Sequence, residues 1–226
     1  MISADSIRTT HKSIEQYIHC TPVIHSPYLS QLADADVHLK LDSLQKTGSF
    51  KFRGAMSKLT SLAENEQNGS VYAASTGNHG AAVAFGASML GMKGKVIVPE
   101  GTLQSKLELI KLYGGEIEFF GSDCLNAEER AQELVKEKSG IYVSPYNDEA
   151  VVRGQGTCAV EIYDQLGAID ALVVSVGGGG LIGGIGTYLK SVNPTTEIIA
   201  ASPKNSCVMY ESLQAGKILD LPSETT

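Results

Sequence analysis

The chain lacks tryptophan, any cluster of basic residues, and any apolar run near the ~18 residues that a membrane span needs. Each absence removes a class of function. With 18 Lys and Arg against 25 Asp and Glu, the formal net charge is -7. A long nucleic-acid backbone is excluded as a partner, because neutralising phosphates takes clustered cations. The four cysteines, Cys20, Cys124, Cys158 and Cys207, lie far apart and form no CxxC pair. That spacing argues against a metal knuckle and a disulfide scaffold, and for reduced thiols. Residues 1–10 lack the apolar core of a signal peptide. The sequence therefore predicts a soluble, cytoplasmic protein with no membrane partner. No repeat, low-complexity tract or proline-rich linker interrupts it, so composition marks no domain boundary. A hydrophobic content of 42% over 226 residues can fill one large domain or two modest ones.

What is present is an alternation of short β-rich runs and helical patterns. Strands are predicted over residues 37–41, 71–74, 95–99, 116–120, 141–143, 171–176 and 197–201. Helical spacing follows in Phe52, Ala55, Met56, Leu59 and Leu62, and in residues 81–90, 104–112 and 125–138. Near-continuous apolar strands alternating with helices imply an α/β fold, with parallel sheets covered by helices on both faces. Two strand-to-helix junctions, at Ser75 and Val176, carry glycine-rich turns. In open α/β sheets ligands sit at such carboxyl ends of strands.

Three segments carry chemistry. In Thr47-Gly48-Ser49-Phe50-Lys51-Phe52-Arg53-Gly54-Ala55 a lysine opens an amphipathic stretch that Thr47 or Ser49 can cap. A lysine is usually a solvated surface charge. Here Phe50 and Phe52 offer an apolar wall, and a helix N-terminus disfavours a nearby ammonium. Both effects lower the amine pKa and favour Schiff-base chemistry. On its own, Lys51 stays open between the two readings.

The second segment is the glycine run Gly177, Gly178, Gly179 and Gly180, after an apolar strand and before a helix. Such a turn lets backbone N–H groups approach an anion, or it merely packs a strand against a helix. Gly178-x-Gly180-x-x-Gly183 also spells the dinucleotide fingerprint. That motif wants an acidic residue about 20 positions on, at the end of the next strand. Here that strand ends in Ser202-Pro203, which weakens a nucleotide reading and leaves the phosphate one. In the third segment, Ser75-Thr76-Gly77-Asn78-His79-Gly80, hydroxyls, an amide and backbone N–H groups gather at a helix start. It suits a carboxylate or phenolic oxygen, or is an ordinary capped turn. His79 is more often structural than a proton carrier.

Together the three segments resemble the fold-type II pyridoxal-phosphate enzymes, in the serine/threonine dehydratase and serine racemase branch of the tryptophan synthase beta superfamily. The resemblance runs through essentially the whole chain, and Gly154-Gln155-Gly156-Thr157 also matches it. It implies two three-layer αβα domains with mostly parallel sheets and the cofactor in the cleft between them. The large domain would comprise residues 1–69 plus 148–226, and a small inserted domain residues 70–147. Lys51 matches the Schiff-base lysine and general base, with Phe50 beside it at the cofactor. Asn78 matches the partner of the ring oxygen. Ser75, Thr76, Gly77, Asn78 and His79 match the substrate-carboxylate loop, and the four glycines the phosphate cup.

The implied reaction is dehydration and deamination of a small hydroxy amino acid, such as L-serine or L-threonine, to a 2-oxo acid and ammonia. Serine racemisation is the alternative, with Thr76 at the position of the second acid/base. The cysteine-synthase branch fits less well, because it typically places a threonine inside the glycine loop. A homodimer acting on a small amino acid is implied as well. Members of the branch continue past the point where this sequence stops. The resemblance thus implies a chain truncated at its C-terminus, without the residue facing the pyridine nitrogen. The Mg2+ site of many members is assignable to no residue here. A non-catalytic, cofactor-binding remnant is the reading from another class.

Overall fold

A computed structural model describes residues 1–62 and 69–221. Residues 222–226, within the expected truncated end, lie outside the described residues, as do 63–68 inside the expected large domain. The chain opens with α1 (Ala4–Ile14), started by a reciprocal Ser3/Ser6 capping box that satisfies two otherwise orphaned N–H groups. The strand β1 (Val23–His25) leads through α2 (Pro27–Ala33) to β2 (His38–Lys40). β1 and β2 pair antiparallel, with Ile24 opposite Leu39. β1 and α2 are too short to carry a clear period, and they were not expected from the sequence; nor was α1, although Ile7 and Ile14 fall on one buried face.

Residues 70–142 build a four-stranded parallel sheet in the order β5-β4-β3-β6. Its strands are β3 (Ser70–Ala74), β4 (Lys93–Val98), β5 (Glu116–Phe119) and β6 (Ile141–Tyr142). α3 (Lys51–Thr60) precedes the sheet, and α4 (Asn78–Met89), α5 (Gln104–Leu112) and α6 (Cys124–Lys138) connect its strands. The two-residue period of β3 sorts its side chains. Val71 and Ala73 join Ala82 and Val83 of α4 and Phe52, Met56 and Leu59 of α3. Tyr72 points the other way, with Ile97 of β4, onto Ala127, Ala131 and Leu134 of α6. Both faces are covered, as near-continuous apolar strands require.

A second parallel pair follows, β7 (Ala171–Ser175) and β8 (Glu197–Ala201). It is flanked by α7 (Glu149–Leu166), α8 (Gly180–Val192) and α9 (Val208–Ala215). Leu172, Val174 and Ile198 pack with Ile7, Ile162, Ile185 and Leu189. Val173, on the opposite face of β7, is 67% exposed, so the helices α7 and α8 cover one face of this pair. α3, α7 and α8 stack almost backbone to backbone. A Cβ at Gly154 would sit 2.5 Å from the Arg53 carbonyl oxygen, and one at Gly184 would lie against Gly156. The Gly154-Gln155-Gly156-Thr157 segment is thus a helix-packing seam in the middle of α7, with all four residues buried.

Candidate active site

Lys51 is the first residue of α3, but the expected cap is absent. The N-cap residue is Phe50, with no side-chain bond to the helix start. The hydroxyls of Thr47 and Ser49 are buried without a hydrogen-bond partner. The chain enters the helix through a turn already αR at Phe50, with Arg53 N–H donating to the Phe50 carbonyl at 3.0 Å. A cap needs an extended residue at the N-cap position, and that position is held by αR Phe50 and not by Thr47 or Ser49.

The Lys51 amine is half-buried. Its Nζ donates to the carbonyl oxygen of Pro145 at 2.7 Å and stands 5.2 Å from the centre of the Phe50 ring. Burial lowers its pKa from 10.5 to about 8, because a half-desolvated ammonium loses hydration. Phe52 plays no part in that wall. It is fully buried and stacks at 5.4 Å on Phe85 of α4.

The asparagine loop joins β3 to α4, and the helix begins at Asn78, earlier than its apolar run suggests. Gly77 N–H donates to Ser75 Oγ at 3.1 Å, and Thr76 is half-buried. Asn78 is exposed at the lip of a cavity of about 410 Å3 that Ser49, Phe50 and Ser175 also line. His79 turns inward. Its Nε2–H donates to the Val143 carbonyl at 2.8 Å, while Nδ1 is buried and unpartnered. Burial, assisted by the Lys51 charge, lowers its pKa to about 4. His79 is therefore neutral, and only its backbone remains for an anion at the loop.

The glycine run forms the start of α8. Gly179 is left-handed, with φ +82°, and is the N-cap residue. No side chain caps the helix, so the first-turn N–H groups keep no side-chain acceptor. A Cβ at Gly177 would meet nothing within 4 Å. One at Gly178 would come within 2.3 Å of the Tyr146 ring, and one at Gly180 would lie 3.0 Å from the Tyr146 carbonyl oxygen. Free donors, positive potential and open space suit a phosphate. A second cavity, of about 540 Å3, runs beneath this turn between Tyr146, Met209 and Leu213.

One segment missed in the sequence ties these parts together. Val143 accepts from His79, Pro145 accepts from Lys51, and Tyr146 packs under Gly178 and Gly180. Its only sequence signal is Ser144-Pro145-Tyr146 directly after a strand, at the carboxyl end where ligands gather. The aldehyde, ring and phosphate of pyridoxal phosphate match this set: a lowered-pKa amine, an aromatic ring, an exposed amide and an uncapped glycine turn. Among the described residues no group of three His, Cys, Asp or Glu is placed to hold a metal ion. No helix among them is long and apolar enough to cross a membrane.

Residues 14–226 match the family described as pyridoxal-phosphate dependent enzyme. A serine racemase of Arabidopsis thaliana is 38% identical over 221 residues, covering 98% of this chain and 67% of that protein. The catabolic L-threonine dehydratase TdcB of Staphylococcus aureus (strain USA300) is 40% identical over 213 residues, covering 94% and 62%. The structure of maize serine racemase superposes with a TM-score of 0.95 at 34% identity, covering 99% of this chain and 68% of that one. The chain thus spans about two thirds of the length of these relatives. It belongs to the pyridoxal-phosphate dependent enzymes of fold type II, in the branch of the serine racemases and threonine dehydratases.

Proposed function

We propose that the site carries out pyridoxal-phosphate dependent β-elimination on a small hydroxy amino acid, with L-threonine and L-serine as the leading substrates. The products are a 2-oxo acid and ammonia. The observation that carries this reading is the half-buried Lys51 amine, bonded to Pro145 next to the residue on which the glycine turn packs. When bound, the cofactor supplies an aldehyde that takes up amines and a ring that withdraws electrons from the attached Cα. Lys51, with a pKa of about 8, presents a neutral amine fraction of roughly a tenth at pH 7. Lys51 is the residue that would hold the aldehyde, and once released by an incoming substrate amine its free amine would take the Cα proton as general base.

Gly177, Gly178, Gly179 and Gly180 would hold the phosphate through backbone N–H groups. Phe50 would pack against the cofactor ring, and the Asn78 amide would bond its phenolic oxygen; both line the same cavity. Ser75, Thr76, Gly77, Asn78 and the His79 backbone hold the substrate carboxylate. Because the His79 ring is neutral, this loop orients the carboxylate by N–H and O–H donors and carries no full positive charge. The site lies between a large unit of residues 1–69 plus 148–226 and a small one of residues 70–147, whose approach excludes water. We further propose a homodimer in the cytoplasm.

Serine racemisation is the second reading, favoured by the 38% identity to a serine racemase. There the Thr76 hydroxyl would return a proton to the face opposite Lys51. Incubation with cofactor and L-serine or L-threonine separates the outcomes. Release of 2-oxo acid supports elimination, and D-serine without keto acid supports racemisation. Bound cofactor with neither product identifies a non-catalytic binding protein and overturns both.

A further inference from the structure

Among the described residues, a buried polar cluster is centred on a side chain to which the proposed chemistry gives no role. Arg53 is fully buried, two residues after Lys51. Its Nε and Nη2 donate to the two carboxylate oxygens of Asp42 at 2.7 and 2.8 Å. Its Nη1 and Nη2 donate to the two oxygens of Glu161 at 2.6 and 2.8 Å. Thr157 and Thr21 hydroxyls each complete the shell at 3.3 Å. Lys40 donates to Glu161 at 2.5 Å, so two cations balance two carboxylates. His11 of α1 and Cys158 of α7 are the other titratable groups that face this cluster.

The fork therefore fastens α3 to the turn before it, through Asp42, and to α7, through Glu161. This matters because the start of α3 has no cap of its own. At about 100° per residue, positions 51 and 53 project roughly 200° apart around the helix axis. The anchor thus grips the face opposite the amine. A planar guanidinium bonded along two edges resists rotation, which a single point charge does not. Close packing at Gly154 sets the distance of the helix from α7. The bonds from Gly54 N–H to Gln155 Oε1 at 3.2 Å and from the Ser57 hydroxyl to the Ala150 carbonyl at 2.6 Å act with the fork on its rotation.

We propose that Arg53 is a positioning residue for the Lys51 amine: its double fork sets the rotation of the first turn of α3 and so aims Nζ at Pro145. The inference rests on the reading of Lys51 as the aldehyde-binding group. Its test does not, because an amine reagent reads Lys51 with no cofactor present. His79 is the titratable neighbour that senses the amine, and it is neutral over the range used.

The test is acetylation of the chain by limiting sulfosuccinimidyl acetate from about pH 6 to about pH 11, with modification at Lys51 read by peptide mass spectrometry. The unsubstituted chain should show a Lys51 midpoint near 8. Arg53→Lys keeps the charge and removes the fork. It should move the midpoint up by about one unit or more, and slow Lys51 labelling at pH 7 by roughly tenfold, while exposed Lys136 is unchanged. Asp42→Asn, which retains both bonds to Glu161, should shift the midpoint in the same direction by less, and serves if Arg53→Lys does not fold. A folded variant with a lowered melting temperature and an unmoved Lys51 midpoint shows a purely structural role and overturns the proposal.

Discussion

The Lys51 Nζ donates to the Pro145 carbonyl oxygen at 2.7 Å, joining the start of α3 to the segment that leaves β6. One residue further on, Tyr146 supports the glycine turn, and two residues back, Val143 fixes His79. The carbonyl stabilises the ammonium, but burial outweighs it and the amine pKa falls to about 8. Capture of pyridoxal phosphate by the chain should therefore accelerate about tenfold per pH unit below 8 and level off above it. Stopped-flow absorbance at increasing pH measures this. A rate still climbing tenfold per unit near pH 10 would mean an ordinary, solvated lysine.

Gly178 and Tyr146 form a steric pair, since a methyl group at 178 has no room beside the ring. Gly178→Ala should weaken cofactor phosphate binding by about tenfold or more and lower stability by roughly 1–3 kcal/mol. Tyr146→Ala in the same chain should recover most of both losses. Additive effects in this double-mutant cycle would break the proposed contact.

His79 gives a pH signature of stability. Its folded pKa is about 4, below the ordinary 6.5. Between those values the unfolded chain binds more protons, so stability is fully present above about pH 6.5 and is lost as pH falls toward 4. The loss from this group should reach roughly 3 kcal/mol by pH 4. Urea titrations of the native chain and of His79→Phe should diverge most near neutrality and converge toward pH 4. Parallel curves would assign the acid sensitivity elsewhere.

Strand and helix alternation was legible from β2 and α3 onward because apolar strands and amphipathic helices differ in period. The helix of residues 104–112 was bounded correctly, and β8 likewise. α7 was not, because its Gly154 and Gly156 look like helix breakers. They are tolerated where α3 and α8 approach too closely for a side chain. The three motifs of the proposed site stand out in the sequence by their residue types. The cap before Lys51 was misread because Thr47 and Ser49 fit by composition, while the backbone enters the helix through Phe50. Arg53, Asp42 and Glu161 were invisible as a cluster, since their contacts span 11 and 108 positions. Val143, Pro145 and Tyr146 act at the site through backbone and packing, which residue type does not encode.

The most direct test of the central claim is reduction of the cofactor-loaded chain with borohydride, followed by peptide mapping. The account predicts a single pyridoxyl phosphate adduct on Lys51, and loss of both adduct and visible absorbance in Lys51→Ala. An adduct on another lysine, or one undiminished in Lys51→Ala, would contradict it.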